Sequence, residues 1–224
     1  MKILMIVPYL PYPLVSGGQN RTYNLLKNLS RKHDITLISF IRDYSEEKYL
    51  PHIKKYCKKI ITVKRSKHAW SLRNILLAAI TAYPFVVTLY LNKKAKDAIT
   101  KELMHTNYNL IHAETFYVMP NIPKTNVPVL LVEQTIEYLV YKDFVDNLPL
   151  YALPLKLPTS IDVKKIKWWE QYYWKKADGL ATMSEDDKNF IKGFSKNLTI
   201  DVIANGVDLK HFKKTKHINS KQPT

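Results

Sequence analysis

The residues best equipped for chemistry stand where apolar runs end. Ile111-His112-Ala113-Glu114 closes one such run, and the period-two alternation of a strand puts His112 and Glu114 on one side with Ala113 on the other. An imidazole and a carboxylate converging at a strand end can bind a hydroxyl or move a proton once a substrate comes within hydrogen-bond reach. The competing reading is a histidine that only makes a structural hydrogen bond. Near the N-terminus, Ser16-Gly17-Gly18-Gln19-Asn20-Arg21 sets two glycines before a helical stripe. Glycine lets a ligand approach the backbone closely, and the free N–H groups and dipole of a helix start favour phosphate or a sugar hydroxyl. Arg21 adds a guanidinium that suits an anion or simply stands in water. The spacing is not G-x-G-x-x-G, so a nicotinamide or flavin dinucleotide is poorly supported, and a plain turn is the alternative.

Other polar clusters admit simpler accounts. Glu133-Gln134-Thr135-Ile136-Glu137 follows an apolar run and also reads as a strand end with a helix starting at Thr135. Ser184-Glu185-Asp186-Asp187 reads as a helix cap with acids in its first turn, in preference to a metal-binding pair. No D-x-D occurs, and no metal site is expected. Trp168, Trp169, Tyr172, Tyr173 and Trp174, interleaved with lysines, read as one helix whose aromatic face packs on a sheet with its lysines in water; base stacking or a lipid interface is the alternative.

The elements that must position these residues alternate strand and helix. Lys2 to Val7 is a nearly continuous apolar run, the pattern of a strand covered on both faces. A helix over Gln19 to Lys32, a strand over Asp34 to Ile41, a helix capped by Ser45 to about Cys57 and a strand over Lys59 to Val63 follow. Further strands fall at Asn109 to Ala113, Pro128 to Glu133, Gly179 to Met183 and Thr199 to Ile203. This is an α/β fold with a doubly wound, mostly parallel, Rossmann-like sheet, in which ligands sit beyond the carboxyl ends of the strands.

The chain of 224 residues, 46% hydrophobic, can bury a core, and disorder over its whole length is excluded. A formal charge of +16 calls for an anionic partner: nucleic acid, an anionic membrane or a phosphorylated substrate. One cysteine, Cys57, excludes an intrachain disulfide or a cysteine zinc cluster and makes a cytoplasmic setting the default. The N-terminal run lacks a signal-peptide cleavage site. Ile75 to Leu91 is roughly 17 residues, the lower edge for a spanning helix, and Pro84 divides it, so two amphipathic helices meeting at Tyr83-Pro84 are expected. Core-facing helices are the preferred account of their apolar residues; the flanking Arg73, Lys93, Lys94 and Lys96 would also suit anionic headgroups.

In order, these segments resemble the N-terminal domain of GT-B retaining glycosyltransferases of glycosyltransferase family 4. The resemblance rests on Gly17-Gly18 after a Pro-rich strand end, His112-Ala113-Glu114, Glu133 to Glu137, and Ala177-Asp178-Gly179 leading to Ser184-Glu185-x-Asp187. Its most specific part is Ile203-Ala204-Asn205-Gly206-Val207-Asp208 with Phe212, and Leu77 to Tyr90 adds to it. Glu114 stands where many members have His, and Ala204 where they have Pro. No two glutamates stand eight residues apart, so the Glu-x7-Glu of the family's second domain is missing.

The resemblance implies a domain over residues 1–212, the N-terminal half of a GT-B architecture, with 213–224 as a polar tail or the start of a linker. It implies an acceptor-binding domain of an enzyme that moves a sugar from a nucleotide-sugar to an acceptor hydroxyl with retention, in cell-envelope polysaccharide or glycolipid synthesis. His112 and Glu114 would be catalytic; Gly17, Gly18, Gln19, Arg21, Glu133, Glu137, Ser184 and Asn205 would bind substrate. No cofactor is expected: the nucleotide-sugar is a co-substrate held mainly by a second, C-terminal domain, without which the chain is expected to be inactive. The expected partners are the donor, an acceptor glycan or glycolipid and that second domain, with an anionic surface at the inner face of the membrane; nucleic acid is not expected. The alternative from another class is a non-catalytic basic α/β module for anionic membrane or nucleic acid. A nucleotide-sugar epimerase is a remote third reading.

Overall fold

The computed structural model describes residues 1–206. The expected tail, together with Val207, Asp208 and Phe212, lies outside the described residues. Seven strands form one sheet in which every pairing is parallel: β1 (Lys2–Val7), β2 (Asp34–Ile41), β3 (Lys59–Lys64), β4 (Leu110–Glu114), β5 (Val129–Glu133), β6 (Gly179–Thr182) and β7 (Ile200–Val202), in the order β3-β2-β1-β4-β5-β6-β7. The helices are α1 (Gly17–Leu29), α2 (Leu50–Lys54), α3 (Leu72–Ile80), α4 (Phe85–Tyr90), α5 (Lys93–His105), α6 (Glu137–Asp146), α7 (Leu153–Lys176) and α8 (Glu185–Phe194). The expected Rossmann-like sheet is the one found.

Alternation along the central strands separates two cores. Met5 and Val7 of β1 with Ile35, Leu37 and Ile41 of β2 face Leu26 of α1 and Ile53 of α2. Leu4, Ile6, Ile38 and Phe40 face the opposite layer with Ile99, Ile166 and Trp174. Each such side chain contributes about 1.5–3 kcal/mol on burial, which is why these strands read as continuous apolar runs. Burial also pushes the Cys57 thiol up to about 12, leaving it protonated.

Several local expectations shift. The glycines are the first turn of α1 rather than a loop before it: Ser16 is the N-cap and its Oγ accepts from the Gln19 amide at 3.2 Å. Asp43, not Ser45, caps the segment after β2; it forms a reciprocal capping box with Glu46 over a short 3-10 helix, Tyr44–Tyr49, and Pro51 starts α2 separately. The helix after β5 starts at Glu137, two residues beyond the expected Thr135. Two helices do meet around Pro84, but only α4 faces the core, through Val86, Val87 and Tyr90. α3 turns its apolar stripe outward and buries Asn74.

α7 is longer than the sheet is tall. Its end runs antiparallel to β5, since Trp174 Nε1 donates to Glu133 Oε1 at the top of the strand and Asp178 Oδ2 accepts from the Val129 amide at the bottom. Ile166 is still packed in the core of the sheet, so residues 153–165 run on beyond it for about 20 Å at 1.5 Å per residue, paired with α6. Residues 78–85 lean on α7: Lys165 Nζ donates to the carbonyls of Ala78 and Thr81, Trp169 Nε1 to that of Ala82, and Asp162 accepts from the Phe85 amide. Lys165 is thus held by α3 rather than standing in water.

Candidate functional site

The sheet order reverses between β1 and β4, and the crevice beyond the carboxyl ends of those two strands is where an open α/β sheet offers a ligand room. Both of the sequence's leading clusters arrive there. β1 feeds Gly17 and Gly18, and β4, in register with it as Met5↔His112 and Ile6↔Ala113, ends on Glu114.

His112 and Glu114 share a face, as the period of the strand requires, and His112 Nε2 lies 2.9 Å from Glu114 Oε1. Glu114 is fully buried, and its other oxygen accepts from Gln134 Nε2 at 2.8 Å. Burial alone would raise the Glu114 pKa. The hydrogen bond and charge of His112, the Gln134 amide and the Arg21 guanidinium outweigh it and hold the carboxyl below its usual value. With Glu114 ionised, Nε2 of His112 is the nitrogen that donates to it, and in the neutral ring Nδ1, which makes no hydrogen bond among the described residues, is the acceptor.

Gln134 extends this chain: its Nε2 also donates to the Tyr9 hydroxyl at 2.9 Å. Gly18 sits directly above the pair. A Cβ there would overlap the Tyr9 hydroxyl and stand 2.8 Å from Gln134 Oε1, so any other residue must push the ends of those two side chains aside. Gly17, by contrast, meets nothing within 4 Å.

Arg21, on the first turns of α1, donates through Nη1 to Asn205 Oδ1 at 3.0 Å and joins the exit of β7 to the rim of the cleft. Its Nε is buried without a partner among the described residues. Gln19 is spent on the loop, donating to the Leu10 carbonyl and accepting from Ser16 Oγ. His112, Glu114, Gly18, Arg21 and Asn205 are therefore brought together, around a floor of Tyr9 and Gln134 that sequence reasoning did not select.

Thr115, directly after Glu114, adopts φ 70° and ψ 149°, a region that only glycine enters freely. Its Oγ1 has no partner of hydrogen-bond geometry, although the Tyr117 hydroxyl is nearby. Thr115→Gly is expected to stabilise the fold by about 1 kcal/mol, after the entropic cost of glycine is set against about 1–3 kcal/mol of relieved strain. A melting curve checks this. A fall in Tm matching that of Thr115→Ala would show that the side chain's packing outweighs the strain.

Glu133 and Glu137 form a second cluster with Glu170, and no hydrogen bond joins them to His112 or Glu114. Glu133 is fully buried; Oε1 accepts from Trp174 and Oε2 has no partner among the described residues. Glu170, from α7, accepts from the amides of Glu137 at 2.7 Å and Tyr138 at 3.2 Å. It thereby caps α6, whose own N-cap, Ile136, has no side chain able to do so. Burial raises all three carboxyls, and neighbouring carboxyls add to this at Glu133 and Glu170: Glu137 stands at about 7 and Glu170 at about 8, while Glu133 is held well above the carboxylate range. Ser184 is used locally, its Oγ accepting from the Asp187 amide and donating to the Asp187 carboxylate. Among the described residues no group of His, Cys, Asp and Glu is placed to hold a metal.

Comparison with known proteins gives this crevice a context. No curated protein matches the chain in sequence. Among solved structures, Medicago truncatula UGT71G1 complexed with UDP-glucose superposes at a TM-score of 0.52 with 11% identity, covering 93% of this chain and 52% of that one. A UDP-glucosyltransferase from Polygonum tinctorium, solved with 3,4-dichloroaniline, does so at 0.53 with 10% identity, covering 91% and 52%. At such identities the likeness is one of fold, and the chain spans about half the length of these neighbours. The model of the family described as Glycosyltransferase Family 4 matches residues 15–211, from the edge of the glycine pair through Asn205. With nearly the whole chain inside that match, the protein belongs to Glycosyltransferase Family 4.

Proposed function

We propose that this domain holds the acceptor of a glycosyltransferase that moves a sugar from a nucleotide-sugar to an acceptor hydroxyl with retention of configuration. The observation that carries the reading is the buried His112–Glu114–Gln134–Tyr9 chain under Gly18 at the point where the sheet order reverses. In the reaction the bond from the anomeric carbon to the leaving phosphate breaks, a bond to the acceptor oxygen forms on the same face, and the proton of the acceptor hydroxyl passes to the leaving phosphate. Nδ1 of His112 orients a hydroxyl of the acceptor or the reacting sugar, while Glu114 fixes the tautomer that leaves Nδ1 free to accept. The amides at the start of α1 and the Arg21 guanidinium face the charge that builds on the leaving phosphate. A second, donor-binding half supplies the nucleotide site, and a glycan or glycolipid of the cell envelope is the acceptor.

The test is a transfer assay with a panel of nucleotide-sugars and glycan or glycolipid acceptors, on the chain and on any longer product of its gene, with the product's anomeric configuration read by NMR. Transfer with inversion would remove the retaining mechanism, and no transfer to any acceptor would remove the reading. Gly18→Val is expected to displace Tyr9 and Gln134, to cost about 1–3 kcal/mol in overpacking, and to cut transfer about a hundredfold through misplacement of the site. Unchanged turnover in a folded Gly18→Val enzyme would place the acceptor elsewhere.

A further inference from the structure

Most of the exposed large apolar side chains among the described residues lie on α3, α6 and α7 or directly beside them. α3 is the sharpest case. Leu72, Ile75, Leu76 and Ile80 repeat at helical spacing, and they are 72%, 43%, 50% and 77% exposed, while the one fully buried side chain of the helix is Asn74. Asn74 is tied down by donating to Ser66 Oγ and to the carbonyls of His68 and Ala69, so the helix is fixed with its apolar stripe outward. Trp70, just before it, is 78% exposed. On α7, Leu157, Ile161, Trp168 and Tyr172 line one exposed face. Ile161 and Trp168 stand a turn to either side of Lys165, which holds the end of α3, so the two stripes adjoin. Amphipathic helices of a globular domain ordinarily turn such stripes inward.

The charge beside this face is mostly positive. A pocket of about 460 Å³ opens at the foot of α3, beyond the end of β3, and is lined by Tyr44, Lys64, Arg65, Arg73, Lys93 and Lys94 among others. Arg73 stands on α3 itself, between Leu72 and Ile75, so the pocket and the apolar stripe share a helix. Lys64 is partly balanced by Asp43 at 3.9 Å, and Arg65 lies over the Tyr90 ring and donates to the Ser66 carbonyl. Arg73, Lys93 and Lys94 have no ion pair among the described residues, and Lys93 and Lys94 occupy the first turn of α5, whose amides add to the positive potential.

We propose that this pocket receives the phosphate headgroup of an anionic membrane lipid while the outward stripes of α3 and α7 enter the bilayer. Apolar and tryptophan side chains beside clustered cations are what an interface of hydrocarbon and anionic headgroups rewards. No helix among the described residues is long and apolar enough to cross a membrane, so the contact is with one leaflet. The proposal stands apart from sugar transfer, because vesicle capture is read without any donor or acceptor.

The test is flotation of the chain with phosphatidylcholine vesicles, with and without phosphatidylglycerol at about one lipid in three. Binding to the anionic vesicles alone is expected, with a blue shift of tryptophan emission from Trp70 and Trp168. Leu76→Glu with Ile80→Glu, and separately Arg73→Glu with Lys94→Glu, should each lower the bound fraction by about tenfold or more. Met104→Glu and Lys101→Glu, on the far end of α5, should not; circular dichroism confirms that all remain folded. Absence of anionic-vesicle binding by the parent chain overturns the proposal. So does equal loss in the far-end controls. If calorimetry finds glycerol phosphate or inorganic pyrophosphate bound in the pocket, sensitive to Arg73→Glu, without vesicle capture, the ligand is a soluble phosphate and the bilayer is ruled out. If sedimentation shows a dimer that Leu76→Glu with Ile80→Glu dissociates, and vesicles do not compete, the face is a contact between copies.

Discussion

Glu114→Ala is expected to lower the stability of the fold by about 3–5 kcal/mol, because it leaves His112 and Gln134 with buried donors and no acceptor. At about 2–4 °C per kcal/mol for a domain of this size, the melting temperature should fall by roughly 10 °C. Both carboxylate oxygens are engaged, at 2.9 Å by His112 and 2.8 Å by Gln134, and the side chain is fully buried, so water cannot replace them. Glu114→Gln separates chemistry from stability. It keeps the shape, but its amide nitrogen must face one of two donors, which forces either a turned Gln134 amide or the other tautomer of His112. The second outcome places a proton on Nδ1, the atom assigned to accept from substrate. Glu114→Gln should therefore cost less stability than Glu114→Ala yet lower kcat by about 10²–10⁴, with the loss in kcat exceeding any change in KM. If Glu114→Gln transfers sugar within a few-fold of the parent, the pair is structural and the acceptor is oriented by other groups. His112→Ala is the companion: it should lower turnover more than thermal stability.

The sheet was legible because its central strands are buried on both faces and its punctuation is conventional. β1 and β2 stand at their expected bounds, and the other strands within a residue or so. Pairing of His112 with Glu114 followed from the period of two. What sequence could not supply were contacts that only the assembled sheet creates. Gln134 reaches Glu114 across 20 residues and Tyr9 across 125, and nothing local marks either as a partner. Glu170 was hidden inside an aromatic run, and its capping of α6 spans 33 residues. The start of α1 was misplaced because glycine reads as a loop, whereas Ser16 supplies the cap that lets Gly17 and Gly18 form the first turn. For α3 the periodicity gave the apolar stripe but not its direction. Spacing defines a face, and only the position of Asn74 and Lys165 decides whether that face meets the core.

The buried carboxyls at the base of the projecting hairpin set a pH dependence opposite in sign to that of Glu114. Glu133, Glu137 and Glu170 all have folded pKa values raised above the unfolded value near 4.5, chiefly by burial and next by one another's charge at Glu133 and Glu170, with Glu137 at about 7 and Glu170 at about 8. Between the unfolded and folded values the native state holds more protons than the unfolded chain, so stability falls as pH rises. Each unit of raised pKa corresponds to about 1.4 kcal/mol. Glu114, held below its usual value, acts the other way: its contribution is present above the unfolded pKa and is lost as pH falls through the folded one. The melting temperature should accordingly peak near the unfolded carboxyl value, about pH 4–5, and decline from there to pH 8. Glu133→Gln isolates the cause, since it keeps an acceptor for Trp174 Nε1 while removing a charge and the orphaned Oε2. It is expected to raise the melting temperature at pH 8, to change it little at pH 5, and so to flatten the decline. An equal shift at both pH values would mean that Glu133 acts through packing, and a decline untouched by the substitution would place the titrating group elsewhere. Both amide hydrogen bonds favour the ionised Glu170, so the cap of α6 survives the titration and the loss falls on the fold as a whole. Amide exchange at the start of α6 should follow the melting curve across this range.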